Sequence, residues 1–398
     1  MSNVFDYRRL QRDEYMPLPW KQRIAYYTFE NLVMHERAQQ VLDDLLMWAT
    51  PGSGAEIILL TGAGGAGKTA LLKILRRRML ESYMAEMLAD PNFIPILFES
   101  AKGAGQARFR WNVFYQRLCR QLNVPLIGHA RKDVVEEDKF RMVPMPGRTY
   151  QQLEMCLEDG LVERRTNLLA VDEVTHIFGG ADATEKQRHM DVFKTFSNIS
   201  TLALVFAGSY GNQDLVELTG QMSRRCINLY LQPYTYDGKE VTEAFRRYVN
   251  TLADEMPIDE PPSLAKYMEV ICTNCSGLSG KVKDLLARSA CVAQARYKGR
   301  WTESCLECSL FPDASVVTSN DEIETGEARL ENSVCAVALK PAQSRLNIEN
   351  LKAGLAAEYQ RRVTNEQRPA SGDQVFASLF PESPVSVKGK RKTGGRKP

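Results

Sequence analysis

Between residues 56 and 231, short apolar runs alternate with longer stretches whose apolar positions recur every three or four residues. The runs Glu56–Gly62, Ile94–Glu99, Asn167–Asp172, Leu202–Ala207 and Cys226–Leu231 read as strands. All but the last are nearly unbroken apolar segments, the pattern of strands covered on both faces. Helical spacing marks Lys68–Tyr83, Phe109–Leu122, Thr149–Arg164 and Glu185–Phe196 between them. The alternation predicts an α/β fold, a five-strand parallel sheet with flanking helices. Upstream, Trp20–Phe29 and His35–Ala49 predict helices that pack beside the first strand. Downstream, Asp237–Ala253, Pro262–Thr273 and Gly280–Tyr297 predict a small all-helical lid. The charged, proline-bearing stretch His129–Arg148 reads as a loop insertion. From Ser309 the periodicity fades, and Ser309–Pro398 reads as an appendage largely disordered without a partner. The expected division is an N-terminal helical segment at 1–55, a core at 56–235, a lid at 236–308 and a partner-binding appendage at 309–398.

The chemistry is concentrated at strand ends. Gly62-Ala63-Gly64-Gly65-Ala66-Gly67-Lys68-Thr69 fits G-x-x-x-x-G-K-[ST] and lies between an apolar strand and a helix. Glycines let backbone N–H groups curl around phosphates, the helix that includes Ala70 turns its positive end toward them, and Lys68 reaches the β- and γ-phosphates. Thr69 is the expected Mg²⁺ ligand. A second strand ends in Asp172-Glu173, where Asp172 would hold Mg²⁺ through water and Glu173 would orient or deprotonate an attacking water. The next strand ends at Ser209, beside Asp172 if the two strands are neighbours, and Arg224 or Arg225 precedes the last strand, at the rim of the sheet. ATP and Mg²⁺ are the implied ligands, and an ATPase the implied enzyme.

Composition narrows the setting without changing this reading. Apolar residues make up 44% of the 398 positions and charged residues 25%, which excludes a collagen-like or wholly disordered chain. No run of eighteen apolar residues occurs and the charged start lacks a signal-peptide core, so the chain reads as cytoplasmic with no membrane partner. Nine cysteines, an odd number set mostly in apolar segments, read as reduced thiols. Lys plus Arg total 51 against 49 Asp plus Glu, but the last eleven residues hold six of the basic ones. A slightly acidic body must therefore meet nucleic acid through local basic patches.

With the glycine loop, the Asp-Glu strand, the polar strand end, the paired arginines and a helical lid in that order, the chain resembles an AAA+ ATPase, and more narrowly the TnsC/TniB/MuB group of transposition regulators. The resemblance spans about residues 15–297. It implies that Gly62, Gly64, Gly65, Ala66, Gly67, Lys68, Thr69 and Ala70 hold nucleotide as Walker A, and that Asp172 and Glu173 form Walker B. It further implies Ser209 as sensor 1, Arg224 or Arg225 as the arginine finger, and Lys281 at sensor 2, where many relatives carry arginine. His35-Glu36-Arg37 matches the region packing near adenine. The group implies ATP-dependent rings or helical filaments on double-stranded DNA, with transposase subunits and a target-selection factor as partners. In related regulators the loop after the second strand faces DNA, which gives Lys102, Arg108 and Arg110 as phosphate contacts. A STAND-type signalling switch and a replication-initiator or helicase-loader ATPase are the alternatives.

Two motifs stand apart. Cys272-x-x-Cys275 and Cys305-x-x-Cys308 have zinc-ribbon spacing within each pair, but 29 residues and a helix separate the pairs. That helix spans about 27 Å, and its seven-residue return reaches at most about 23–25 Å. Shared zinc thus demands a fold-back, and ordinary lid cysteines are the other reading. The basic end Lys388–Pro398 and the apolar segment Gln374–Phe380 before it read as a flexible arm and a hook that orders on binding.

Overall fold

The computed structural model describes residues 9–50, 52–101, 109–124, 131–136, 139–144, 150–179, 181–197, 199, 202–213, 226–235 and 241–331. Strands β1 (Ile57–Thr61), β2 (Ile96–Ser100), β5 (Leu168–Asp172), β6 (Ala203–Gly208) and β7 (Cys226–Tyr230) form one sheet in the order β2-β5-β6-β1-β7. Every pair in it is parallel. Side chains alternate across a strand, and here both sets are buried. Ile57, Leu59, Leu169, Val171, Leu204 and Phe206 face one cluster, while Ile58, Leu60, Leu168, Ala170 and Val205 between them are equally inaccessible. That is why these strands are unbroken apolar runs in the sequence.

Helix α1 spans Glu36–Trp48, α2 Lys68–Ser82, α3 Trp111–Gln121, α4 Tyr150–Glu163 and α5 Ala183–Ser197. Leu118 and Leu122, from α3 and its end, join Leu153, Leu157 and Leu161 of α4 and Phe193 and Phe196 of α5 against the first face. Helix α2 lies along β2, β5 and β6, with Leu71, Leu72 and Leu75 buried. Each such side chain stabilises the fold by about 1.5–3 kcal/mol relative to exposure. In the lid are α6 (Glu243–Asp254), α7 (Met268–Asn274) and α8 (Ser279–Tyr297), followed by α9 (Asp313–Glu331).

Several expectations need correction. His129–Arg148 holds an antiparallel hairpin, β3 (Arg131–Glu136) with β4 (Lys139–Pro144), where a loop was expected. A two-stranded ladder satisfies its backbone locally and needs no apolar run. Trp20–Phe29 is helical as expected, but its α-helix ends at Ala25 and continues as a π-helical turn at Tyr26–Glu30. Of the N-terminal elements, α1 packs on α2 and on β7, the strand beside β1, and the π turn packs on α8. Tyr27 sits in the lid's core and donates to the Leu252 carbonyl at 3.0 Å. In Pro262–Thr273 the backbone forms a short 3-10 turn at Ala265–Tyr267 before α7. Finally, Asp313–Glu331 is a nineteen-residue helix where an irregular appendage was expected. Its few buried positions, Ser319, Gly326 and Leu330, give almost no hydrophobic periodicity. Residues 332–398, including the apolar hook and the basic end, lie outside the described residues.

Candidate functional site

Because all five strands run the same way, their C-terminal ends share one edge. Register places Ser100 of β2 level with Asp172 of β5, and Thr61 of β1 level with Gly208 of β6 and Tyr230 of β7. The glycine loop therefore leaves the fourth strand of the five, with β6 adjoining on one side and β5 next beyond it. The backbone turns through Gly65 at φ 81° and Gly67 at φ 99°, a region that only glycine enters without strain. Gly67 opens α2 with no side-chain cap, so the helix presents its N–H groups at the loop. Here the Lys68 ammonium donates to the carbonyls of Gly62 and Ala63, both at 2.8 Å. Burial holds its pKa below the usual lysine value, and the charges of Asp172, Glu322 and Glu173 oppose that shift.

Across the loop, the Thr69 hydroxyl donates to the Asp172 carboxylate at 2.6 Å. Asp172 is buried, and its second oxygen accepts the Glu173 N–H at 2.9 Å. Glu173 itself sits at φ 54°, a conformation that costs a non-glycine residue about 1–3 kcal/mol. Its carboxylate accepts from the Ser100 hydroxyl at 3.1 Å. Ser209 follows β6 directly and is half-buried at the same edge. The neighbouring rung is tied by the Val174 N–H to the Ala207 carbonyl at 3.0 Å.

The lid closes on the loop from the other side. Gly280 N–H donates to the Gly65 carbonyl at 2.8 Å, and the Ser279 hydroxyl to that of Ala66 at 2.7 Å. A Cβ on Gly280 would stand 2.6 Å from the Gly65 carbonyl oxygen, so this approach needs glycine. Lys281 crosses the loop, its Cγ 3.1 Å from where a Gly65 Cβ would be, and its ammonium donates to the Ser319 hydroxyl. Beside α2 lies an apolar cleft lined by Leu32, Val33, His35, Ala70, Ile74 and Tyr248. His35 Nδ1 caps α1 by accepting the Ala38 N–H at 3.3 Å and lies 3.0 Å from the Tyr234 hydroxyl. Burial, reinforced by Arg37, lowers its pKa to about 4.

Of the remaining sequence-derived candidates, Arg110 is exposed just before α3. Lys102, Arg108, Arg224 and Arg225 lie outside the described residues. Cys272 and Cys275 are buried in the lid, where burial pushes the Cys272 thiol up to about 11 and raises that of Cys275 further. Cys305 is buried against Thr302, and Cys308 is exposed beside Arg296. Among the described residues no group of three or more His, Cys, Asp or Glu is placed to share a metal ion. Three contacting residues were missed from sequence: Ser100, Ser279 and Glu322, the last accepting the Gly64 N–H at 3.1 Å. The strand-end logic that picked out Ser209 would also have found Ser100. No spacing rule points to Glu322, 258 residues from its partner.

Residues 50–216 match the family model described as an AAA domain. The fold is an AAA+ fold. No curated protein matches the sequence. Among solved structures, Cdc6p from Pyrobaculum aerophilum is similar at 16% identity and a TM-score of 0.46, over 82% of this chain and 89% of that one. The Aeropyrum pernix ORC2 protein, solved as ADPNP-ADP complexes, is similar at 15% identity and a TM-score of 0.45. That match takes in 69% of this chain, which spans 65% of the ORC2 protein's length. Domain III of the Thermotoga maritima replication initiation protein DnaA follows at 13% identity and a TM-score of 0.41, over 72% of this chain and 98% of that one.

The residues of this AAA+ fold suit a magnesium-bound nucleoside triphosphate. Loop and helix N–H groups with Lys68 would take the phosphates, and a base would have to widen the small cleft beside Ala70. Thr69 and Asp172, already in contact, would supply the protein's share of a Mg²⁺ shell whose other ligands are phosphate and water. Among the described residues no helix is long and apolar enough to cross a membrane.

Proposed function

We propose that the chain is a cytoplasmic AAA+ ATPase that assembles with nucleotide between neighbouring copies, grips double-stranded DNA by its backbone, and links target selection to transposase recruitment. The observation that carries the nucleotide part is the Thr69–Asp172 contact at 2.6 Å, with Lys68 on the same loop and Glu173 next in line. Those are the groups a phosphoryl-transfer site needs at one sheet edge. Bound Mg²⁺ would neutralise charge on the phosphates. Lys68 would leave its carbonyl partners for phosphate, Glu173 would accept the proton of the attacking water, and Ser209 would steady that water from the adjoining strand. Arg224 or Arg225 would complete a neighbour's site. Lys102, Arg108 and Arg110 would meet DNA phosphates without reading bases. The order of motifs along the chain, as in the TnsC/TniB/MuB group, supports the transposition role.

Electron microscopy and ATPase assays of the purified chain with Mg²⁺, duplex DNA and a non-hydrolysable ATP analogue test this reading. Rings or filaments are expected on DNA, and Glu173→Gln should trap ATP-bound assemblies there. A chain that stays a lone particle under these conditions sinks the assembly reading. A Glu173→Gln variant that fails to bind nucleotide at all removes the role given to that residue.

A further inference from the structure

Helix α9 reads DASVVTSNDEIETGEARLE, with six acidic residues against one basic. Such a helix has little apolar surface with which to dock, yet it is seated. One face carries Ser319, Glu322, Gly326, Glu327 and Leu330, at offsets of 0, 3, 7, 8 and 11, the spacing of a single helical stripe. Most of that stripe meets the edge where phosphate is expected. Ser319 accepts from Lys281, and Glu322 accepts the Gly64 N–H at 3.1 Å. Glu327 accepts the Tyr230 hydroxyl at 2.6 Å, and Tyr230 in turn lies 2.9 Å from the Tyr210 hydroxyl. Gly326 rests on the Tyr210 ring so closely that a Cβ would fall 2.1 Å from it. Glycine inside a helix costs about 1 kcal/mol against alanine, and here its missing side chain is what lets the helix lie on that ring. Just upstream, Phe311 lies 5.3 Å from the Lys281 ammonium and 4.4 Å from the Arg288 guanidinium.

A carboxylate accepting from an N–H of a glycine loop does what a phosphate oxygen does there. We infer that α9 is an intramolecular occupant of the nucleotide site: Glu322 stands in for a phosphate oxygen at Gly64, and a nucleoside triphosphate must displace the helix to bind. The inference rests on the nucleotide-binding reading above. Like charges decide it, because a γ-phosphate and the Glu322 carboxylate cannot both accept the one Gly64 N–H without repelling each other. Displacement also frees Lys281 from Ser319, so the lid's cation becomes available as the blocking anion leaves. By linkage, anything that binds the released helix tightens nucleotide binding by the same factor.

The test titrates the full-length chain with a fluorescent ATP analogue in Mg²⁺, beside Glu322→Gln, Gly326→Ala and Lys68→Ala. Glu322→Gln removes the anion, while Gly326→Ala lifts the helix off Tyr210 with the Glu322 side chain itself unaltered. Both are expected to bind the analogue about tenfold more tightly, the scale of one hydrogen bond to a charged group, and Lys68→Ala is expected to abolish binding. Unchanged affinity in the two α9 variants, with loss in Lys68→Ala, overturns the inference and spares the nucleotide reading. Absence of binding in the unmodified chain and in both α9 variants overturns both. Hydrogen exchange on the unmodified chain is a second measurement that needs no substitution. Addition of Mg²⁺ and ATP should speed exchange across 313–331 while slowing it across 62–69. Slower exchange in both segments would mean that α9 closes over the nucleotide, and the inference fails.

Discussion

Thr69 and Asp172 lie 103 positions apart and share one hydrogen bond between an exposed hydroxyl and a buried carboxylate, so removing the hydroxyl leaves that carboxylate short of a protein donor. Thr69→Val keeps the shape, and should lower unfolding free energy by about 1–3 kcal/mol. Urea melts read this as a lower midpoint at unchanged slope; an unshifted midpoint would mean that another donor replaces Thr69. His35 offers a different residue-level test. Its Nδ1 must be unprotonated to accept the Ala38 N–H, and in the folded chain it takes a proton only near pH 4 against an ordinary value of 6.5. Between those values the unfolded chain holds more protons, so stability is fully present above pH 6.5 and is lost as pH falls toward 4. Melting temperature should fall across that window, and more steeply than in His35→Asn, which can still cap α1. Equal slopes would remove His35 from the acid response. These two residues also mark what sequence reveals at this scale. Thr69 and Asp172 each belong to a motif whose neighbours fix its meaning. Glu322 sits in an acidic helix that looks like any solvated one, and its role exists only because folding brings it to Gly64.

At the scale of elements, one turn in the joint between sheet and lid has no room for a side chain. Gly277 follows α7 at φ 65°, donates its N–H to the Cys272 carbonyl at 2.9 Å, and accepts the Tyr234 N–H at 2.9 Å. A Cβ there would lie 1.7 Å from the Tyr234 carbonyl oxygen, which no rotamer can relieve. Gly277→Ala should therefore cost more than about 3 kcal/mol, well beyond the penalty for left-handed backbone alone. Calorimetry checks it, and a loss under about 1 kcal/mol would mean that the turn shifts freely. Elements whose own sequence satisfies their packing are legible, as α2 and β1 are, since periodicity reports burial directly. The hairpin at 131–144 and helix α9 are not, because a backbone ladder holds the first and polar contacts hold much of the second. Nor does the pattern before β1 say that Tyr27 belongs to the lid, since a buried tyrosine looks the same wherever it docks.

For the whole molecule, that docking divides stability unevenly. The segment from Arg9 to Asn31 is fastened to the lid by Arg9 and Asn31 on Glu255, by Tyr15 on the Glu255 carbonyl and by Tyr27 on that of Leu252. The segment Arg9–Asn31 and the lid thus form one body, joined to the sheet across the glycine loop and the Tyr234–Gly277 turn. A lesion inside that body should be felt there first, because cooperative units open with their own free energies. Tyr27→Ala removes a fully buried ring from the lid cluster at a cost of about 3–5 kcal/mol. Amide exchange in α6 and α8 should rise by orders of magnitude while β1 and β6 stay protected. Leu59→Ala, in the cluster on the sheet, should do the reverse and lower protection in the strands. If both variants raise exchange equally everywhere, lid and sheet unfold as one unit, and the lid could not then open alone to admit a nucleotide.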